Sequence, residues 1–271
     1  APDPANNVLD ETSGNDTING LDGDDISEGS DKSSTPNNYY LSLDGSDNSS
    51  EFQYLRVDND PSFSSEGDIS FSAWARRFNG NDYDNLFDLP NSHMLEVTGE
   101  RGRWRAENGV QPYFTSNNFN FPLNEWIHIA GVLSDGEAKL YKDGQIEVTS
   151  SAEKVVATTE DLYLGILASQ MPGNPDTWGG DIDDFKIWNT ALTPEQIQSV
   201  YEGDSTIERE NLALELTFNQ LDDSIDSIID SSGNKNIITA YGDIQLLIND
   251  ENGLISPGSI STFEADDALF T

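Results

Sequence analysis

The chain has no cysteine among its 271 residues, so no disulfide can staple it. Secreted eukaryotic domains often carry such bridges, and their absence points to a prokaryotic protein stabilised by other means, a bound metal among them. Basic residues are scarce: 13 Lys and Arg stand against 50 Asp and Glu, a formal charge of −37. A surface of that sign repels nucleic acid and anionic membranes, so neither is expected as a partner. It suits divalent cations or saline surroundings. Long apolar runs are missing too; nothing approaches the ~20 residues that span a bilayer, which excludes insertion as a helix. No signal peptide is visible, and Ala1 fits either a cleaved leader or a piece of something longer. Against these absences stand 35% hydrophobic and 10% aromatic residues, enough for a real core.

Residues 1–36 differ from the rest. The first 31 contain no Lys or Arg and nine acidic residues. Within them GNDTIN (14–19) is followed by GLDGDDISE (20–28), and Gly14 and Gly23 lie nine apart, as do Asp16 and Asp25. The spacing resembles the Gly/Asp-rich nonapeptide of calcium-binding RTX repeats, in which glycines make tight turns and aspartates ligate calcium between coils. The resemblance implies Ca2+ ligands at Asp16, Asp22, Asp24 and Asp25. Thr12 and Ser27 depart from the repeat, and a solvated acidic linker is the alternative.

Residues 37–203 read as many short strands divided by turn residues. YYLSLDGSDN (39–48) is an opening strand with an Asp-rich turn, and ISFSAWARR (69–77) alternates, with Ile69, Phe71, Ala73 and Ala75 on one face. NLFDL (85–89) and MLEVT (94–98) flank a turn at Pro90–Asn91. The stretch from Trp126 to Leu133 is apolar on both faces, as a central strand must be, and Asp143–Gly144 is a two-residue hairpin signal. DLYLGI (161–166) and a strand over 181–188 complete the set, which predicts an all-β, antiparallel β-sandwich. One short helix is expected near 193–202. There Thr193, Pro194 and Gln196 supply an N-cap, a first-turn proline and the third position of a capping box.

The run WGGDIDDFKIWNTALTPEQI (178–197) and the pattern W-x-H-x-A…LY-x-DG across 126–144 resemble laminin-G-like, pentraxin-like modules. The resemblance covers most of 37–203 and implies a jelly-roll, concanavalin A-like fold, a fold that hosts binding and structural modules more often than any one chemistry. Residues 204–271 form a third segment. NLALELTF (211–218), IIDSSGNKN (228–236) and AYGDIQLLI (240–248) resemble the beginning of another such module. The segment could fold back on its own sandwich, begin a tandem module or complete a neighbouring chain; docking on the same sandwich or on a neighbour is expected, because an isolated half-sandwich leaves long unpaired edges.

Catalytic patterns are poor. A retaining glucanase of this architecture needs two carboxylates about 5 Å apart, written as Glu-x-Asp-x-Glu. The nearest match is Asp181-Ile182-Asp183-Asp184, which lacks both glutamates. The two histidines are His93 and His128, and His128 sits among apolar strand neighbours as a core residue would. Metal binding is better supported: Asp44-Gly45-Ser46-Asp47 is an oxygen-rich turn. The family resemblance places such a turn near the closing strand around a structural calcium, which implies ligation by Asp44, Asp47 and Asp184; ordinary turn and surface carboxylates are the alternative. Asp84-Asn85 matches one half of the paired-calcium site of pentraxins, whereas ILASQ (166–170) carries none of the carboxylates of the other half.

Two ligand-binding candidates remain. Arg101, Arg103 and Arg105 would share one face of an extended strand and could hold acidic sugars, the alternative being pairing with Glu96, Glu100 and Glu107. Trp178, at the end of MPGNPDTW, could stack on a sugar ring. The expected protein is a non-catalytic, calcium-stabilised adhesion or structural module of a prokaryotic surface or secreted protein. Its partners would be glycans or neighbouring chains, with self-assembly among the outcomes. The alternative is a lectin-like module of a polysaccharide-degrading enzyme.

Overall fold

The computed structural model describes residues 39–45, 52–64, 66–78, 83–99, 101–106, 119–152, 157–171, 173, 175–219, 228–248 and 258–259, all within the unit Pro36–Thr271. The repeat-like segment with Asp16, Asp22, Asp24 and Asp25 lies outside the described residues, as does Asp47.

Alternating strands build two antiparallel layers. In chain order they are β1 (Tyr39–Asp44), β2 (Tyr54–Val57), the one-turn helix α1 (Pro61–Ser64), β3 (Ile69–Arg77), β4 (Asp84–Leu89), β5 (His93–Thr98), β6 (Arg101–Ala106), β7 (Ile127–Ser134), β8 (Glu137–Lys142), β9 (Gln145–Ser151), β10 (Leu162–Leu164), β11 (Gly179–Trp188), α2 (Pro194–Tyr201), β12 (Leu212–Leu216), β13 (Ile238–Tyr241), β14 (Gln245–Ile248) and β15 (Gly258–Ser259). Among the described residues the larger sheet runs β15-β14-β1-β11-β3-β7-β8-β9, with β12 also on β11; the smaller runs β13-β2-β10-β4-β5-β6. This is the expected all-β sandwich.

The core lies between the sheets. Phe71, Ala73 and Ala75 of β3, Ile127 and Ile129 of β7, and Ile182, Phe185 and Ile187 of β11 meet Leu55, Val57, Phe87, Leu95 and Val97 from the smaller sheet. Each large side chain buried there contributes about 1.5–3 kcal/mol. Gly131 faces Phe71 across the β3–β7 pair, where an added Cβ would come within 2.2 Å of the ring. β7 is apolar on its other face because α2 packs there: Ile197 and Val200 cover Ala130, Val132, Tyr141 and Trp188. Thr193 caps α2, accepting from the Gln196 amide, while the Gln196 side chain accepts from the Thr193 amide at 2.8 Å. At the β8–β9 hairpin Asp143 (φ 48°) and Gly144 (φ 77°) both occupy the left-handed region that a two-residue turn of this twist demands.

The C-terminal strands join both layers. β12 pairs with β11, β14 with β1 and β13 with β2. The DSSGN run before β13 is organised by Asp230, whose carboxylate accepts from the backbone amides of Glu215, Ser232 and Asn236.

Candidate functional site

The arginine strand does not present three free guanidinium groups. Arg103 faces Glu96 across the β5–β6 pair and donates to it at 2.8 Å from Nη1, the cross-strand alternative. Arg101 is exposed, and the Arg105 side chain lies outside what is described. Trp104 turns the other way into the core, edge-on to Phe71 at 5.0 Å.

Trp178 is fully buried and meets Phe121 edge-to-face at 5.6 Å. It lies in the core just before β11, so its ring offers no platform to a sugar. The sequence expectation at this position is corrected by burial alone.

Asp44 and Asp184 do not share a corner. Asp44 lies opposite Gly179, at the start of β11. Asp184 follows five positions later, a separation of roughly 16 Å at strand rise. Calcium binds oxygens at about 2.3–2.6 Å, so no one ion takes both carboxylates. Asp184 has a backbone reason to be aspartate: it sits at φ 47° where the β3–β11 register slips, a left-handed conformation that Asp and Asn tolerate better than other side-chain-bearing residues. Its carboxylate is 3.7 Å from the Lys186 ammonium. Among the described residues no group of three or more acidic or histidine side chains is arranged to hold a metal.

The carboxylates and histidines of the enzyme-like patterns have local roles. Asp183 Oδ1 accepts the Asp184 amide at 2.8 Å. Asp84 is buried, its Oδ2 accepting from Arg77 Nε at 2.7 Å and from Nη2. The third Arg77 nitrogen, Nη1, donates to the Gly99 carbonyl, so this guanidinium is held wholly inside. Burial lowers the His93 pKa to about 4 and that of His128 to about 3. Both rings are neutral at pH 7, His93 against Phe87 and His128 against Trp74 and Tyr201.

The neighbouring arginine builds a different feature. Strand alternation turns Arg76 outward, opposite Asp181 of β11, which in turn lies opposite Ser42 of β1. Arg76 donates to Asp181 Oδ2 from Nε at 2.8 Å and from Nη2 at 2.5 Å. Three rings surround the guanidinium: Trp126 at 4.8 Å, Phe78 at 5.3 Å and Tyr40 at 5.7 Å from centroid to Cζ. Tyr40 and Trp126 meet edge-to-face at 5.4 Å. Burial pushes the Asp181 carboxyl up, against the opposing pull of the Ser42 hydroxyl and the Arg76 charge. Phe78 is 45% exposed, Trp126 half-buried, and the Arg76 side chain 26% exposed. The result is a charge-balanced, preorganised patch of aromatic surface and hydrogen-bond donors, open to solvent. Its members come from β1, β3 and the residue that follows it, the lead into β7, and β11, so no short run of sequence spells it.

A family model described as the concanavalin A-like lectin/glucanases superfamily, of laminin-G type, matches residues 29–198, more than half of the chain. The chain belongs to this superfamily. Among solved structures, superfamily-like folds include a proposed carbohydrate-binding protein of Bacteroides ovatus ATCC 8483, at TM-score 0.63 and 16% identity, covering 84% of this chain. The chain spans 63% of that protein's length. A heptameric SAP-like pentraxin of Limulus polyphemus matches at TM-score 0.51 and 17% identity, covering 76% of this chain and 95% of its own. At these identities the likeness is one of fold. A search of curated proteins gives no significant match. Within the superfamily fold, the Arg76 patch lies on the outer face of the larger sheet.

Proposed function

We propose that this chain is a non-catalytic, extracellular glycan-binding module that serves adhesion. The observation that carries the reading is the Arg76 patch. Trp126 and Phe78 offer apolar ring surface to the C–H face of a sugar, and the guanidinium, already steered by Asp181, offers directed donors to sugar hydroxyls. Aromatic faces with a few oriented polar groups are the common chemistry of small-ligand recognition, and held side chains cost little entropy on binding. With the chain at −37, uncharged glycans are favoured over acidic ones at low ionic strength. The carbohydrate role proposed for the Bacteroides ovatus protein supports this as a fold-level analogy. No helix among the described residues is long and apolar enough to cross a membrane. Calcium remains part of the proposal through residues 14–31 and the 44–47 turn. A chelator should then lower the melting midpoint, and an unmoved midpoint would remove calcium from the account.

The test is a titration of the full chain with neutral oligosaccharides. Phe78→Ala and Trp126→Ala should each weaken binding at this patch at least tenfold with the fold intact. Equal affinity in both variants would dismiss the patch.

A second reading, contact with neighbouring chains, has its own observation. Edge strand β9 is exposed at Gln145, Ile146, Glu147, Thr149 and Ser151, with Ile146 47% exposed and no Lys or Pro to discourage pairing. Sedimentation across a concentration series would show association if this edge is used.

A further inference from the structure

The outer face of the smaller sheet carries an aromatic group that the Arg76 patch does not use. In β2, Leu55 and Val57 point into the core, so Tyr54 and Arg56 point away from it; β10 likewise turns Tyr163 outward between Leu162 and Leu164. The tail strand β13 sets Tyr241 directly opposite Tyr54, and the two rings stack at 4.6 Å with 5° between their planes. On the other flank Tyr163 lies 6.1 Å from Tyr54. The Arg56 guanidinium is 5.7 Å from the Tyr241 ring and paired with Asp58 at 3.1 Å and Asp161 at 3.6 Å. Tyr163 and Tyr241 are half-buried, and the two carboxylate side chains are 42% and 31% exposed.

The geometry points to a second saccharide-binding site here, taking an uncharged glycan chain. The half-buried rings of Tyr163 and Tyr241 flank the buried Tyr54, so three adjacent strands give an apolar row open at its two outer rings. Their hydroxyls, the guanidinium and the two carboxylates border it with the donors and acceptors that sugar hydroxyls need. One cation against two anions leaves the site with excess negative charge, as in the whole chain, which disfavours uronic or sulfated sugars. Burial raises the Tyr54 and Tyr163 hydroxyl pKa, so both keep the proton they would donate. Tyr241 lies beyond the residues 29–198 that define the family match, so the C-terminal segment supplies part of this site.

The two platforms sit on outer faces of sheets stacked about 10 Å apart and look in opposite directions. A short oligosaccharide therefore engages them one at a time, while a polysaccharide is bridged between molecules, with the gain in avidity that two linked sites confer.

This inference rests on the glycan reading above, and the test separates the two. The full chain is titrated calorimetrically with cellohexaose, xylohexaose and mannohexaose. Two sites per chain are expected. Tyr163→Ala should remove one, Trp126→Ala the other, and the double variant both; Arg56→Gln, a milder change, should weaken the tyrosine site at least tenfold if Tyr163→Ala misfolds. One site, lost in Trp126→Ala and unchanged in Tyr163→Ala and Arg56→Gln, overturns the second platform and leaves the first. One site lost only in the tyrosine-site variants upholds it and dismisses the Arg76 patch. No heat with any hexasaccharide overturns both, and capture of a proline-rich peptide there in place of saccharide overturns the ligand class.

Discussion

Arg76 and Arg77 are consecutive on one strand and meet opposite fates. Arg77 points between the sheets, wholly buried, its guanidinium closed off by Asp84 and the Gly99 carbonyl. Arg76 points outward, braced by Asp181 yet still partly in water and ringed by aromatic side chains. Trp178 and Trp126 repeat the contrast, one in the core and one half-open. The lesson is that residue type does not separate structural from ligand-binding chemistry in this fold. Strand parity and what covers each face do.

Four measurements break or sharpen the comparison, the largest effect first. Arg77→Ala takes the paired guanidinium away from the buried Asp84 carboxylate and should cost about 3–5 kcal/mol by denaturant unfolding. The paired change Arg77→Met with Asp84→Leu should recover most of that. Equal losses for Arg76→Ala and Arg77→Ala would erase the distinction. Trp178→Ala should likewise cost about 3–5 kcal/mol through the cavity it leaves, and a near-neutral result would return Trp178 to the surface.

The third measurement uses pH. His93 has its folded pKa lowered by burial to about 4, whereas the unfolded ring titrates near 6.5. Between those values the unfolded chain binds the proton more readily, so the contribution of the neutral ring is complete above pH 6.5. It is lost as pH falls toward 4, by roughly 3 kcal/mol in all. Because acidification also relieves repulsion among carboxylates, the readout is a difference: His93→Gln should gain stability relative to the parent across this window. A pH-independent difference would show that the ring is not buried as neutral imidazole. Smallest is the loss of the α2 cap: Thr193→Ala should cost about 1 kcal/mol in thermal unfolding while leaving glycan binding untouched.

Much of the sandwich is legible in the chain because its signals are local. The alternation of Ile69, Phe71, Ala73 and Ala75, the Asp143–Gly144 turn and the Thr193–Gln196 cap each need only a few consecutive residues, and each is seen in the structure. The site is less legible because it is made of long-range contacts. Tyr40, Arg76, Trp126 and Asp181 meet only once β1, β11, β3 and β7 are ordered side by side, an order that period-two alternation does not encode. The sequence could have hinted at it: alternation through 69–77 already separates Arg76 from Arg77. Trp178 is ambiguous in sequence, since a tryptophan after a Pro/Gly-rich loop reads equally as platform or core. Asp184 misleads for another reason. Its left-handed backbone arises where two strands slip in register, and the bare dipeptide Asp183–Asp184 looks like a pair of ligands.

The most direct test of the account is binding by the outward patch. The parent chain, Phe78→Ala and Trp126→Ala are titrated with the same neutral hexasaccharide, with melting followed in parallel. The account predicts saturable binding by the parent and at least tenfold weaker binding at the Arg76 patch in each variant, whatever the tyrosine platform retains, with the Phe78→Ala midpoint close to the parent's, since Phe78 is 45% exposed. An inert parent, or variants that bind as well as it does, would contradict it.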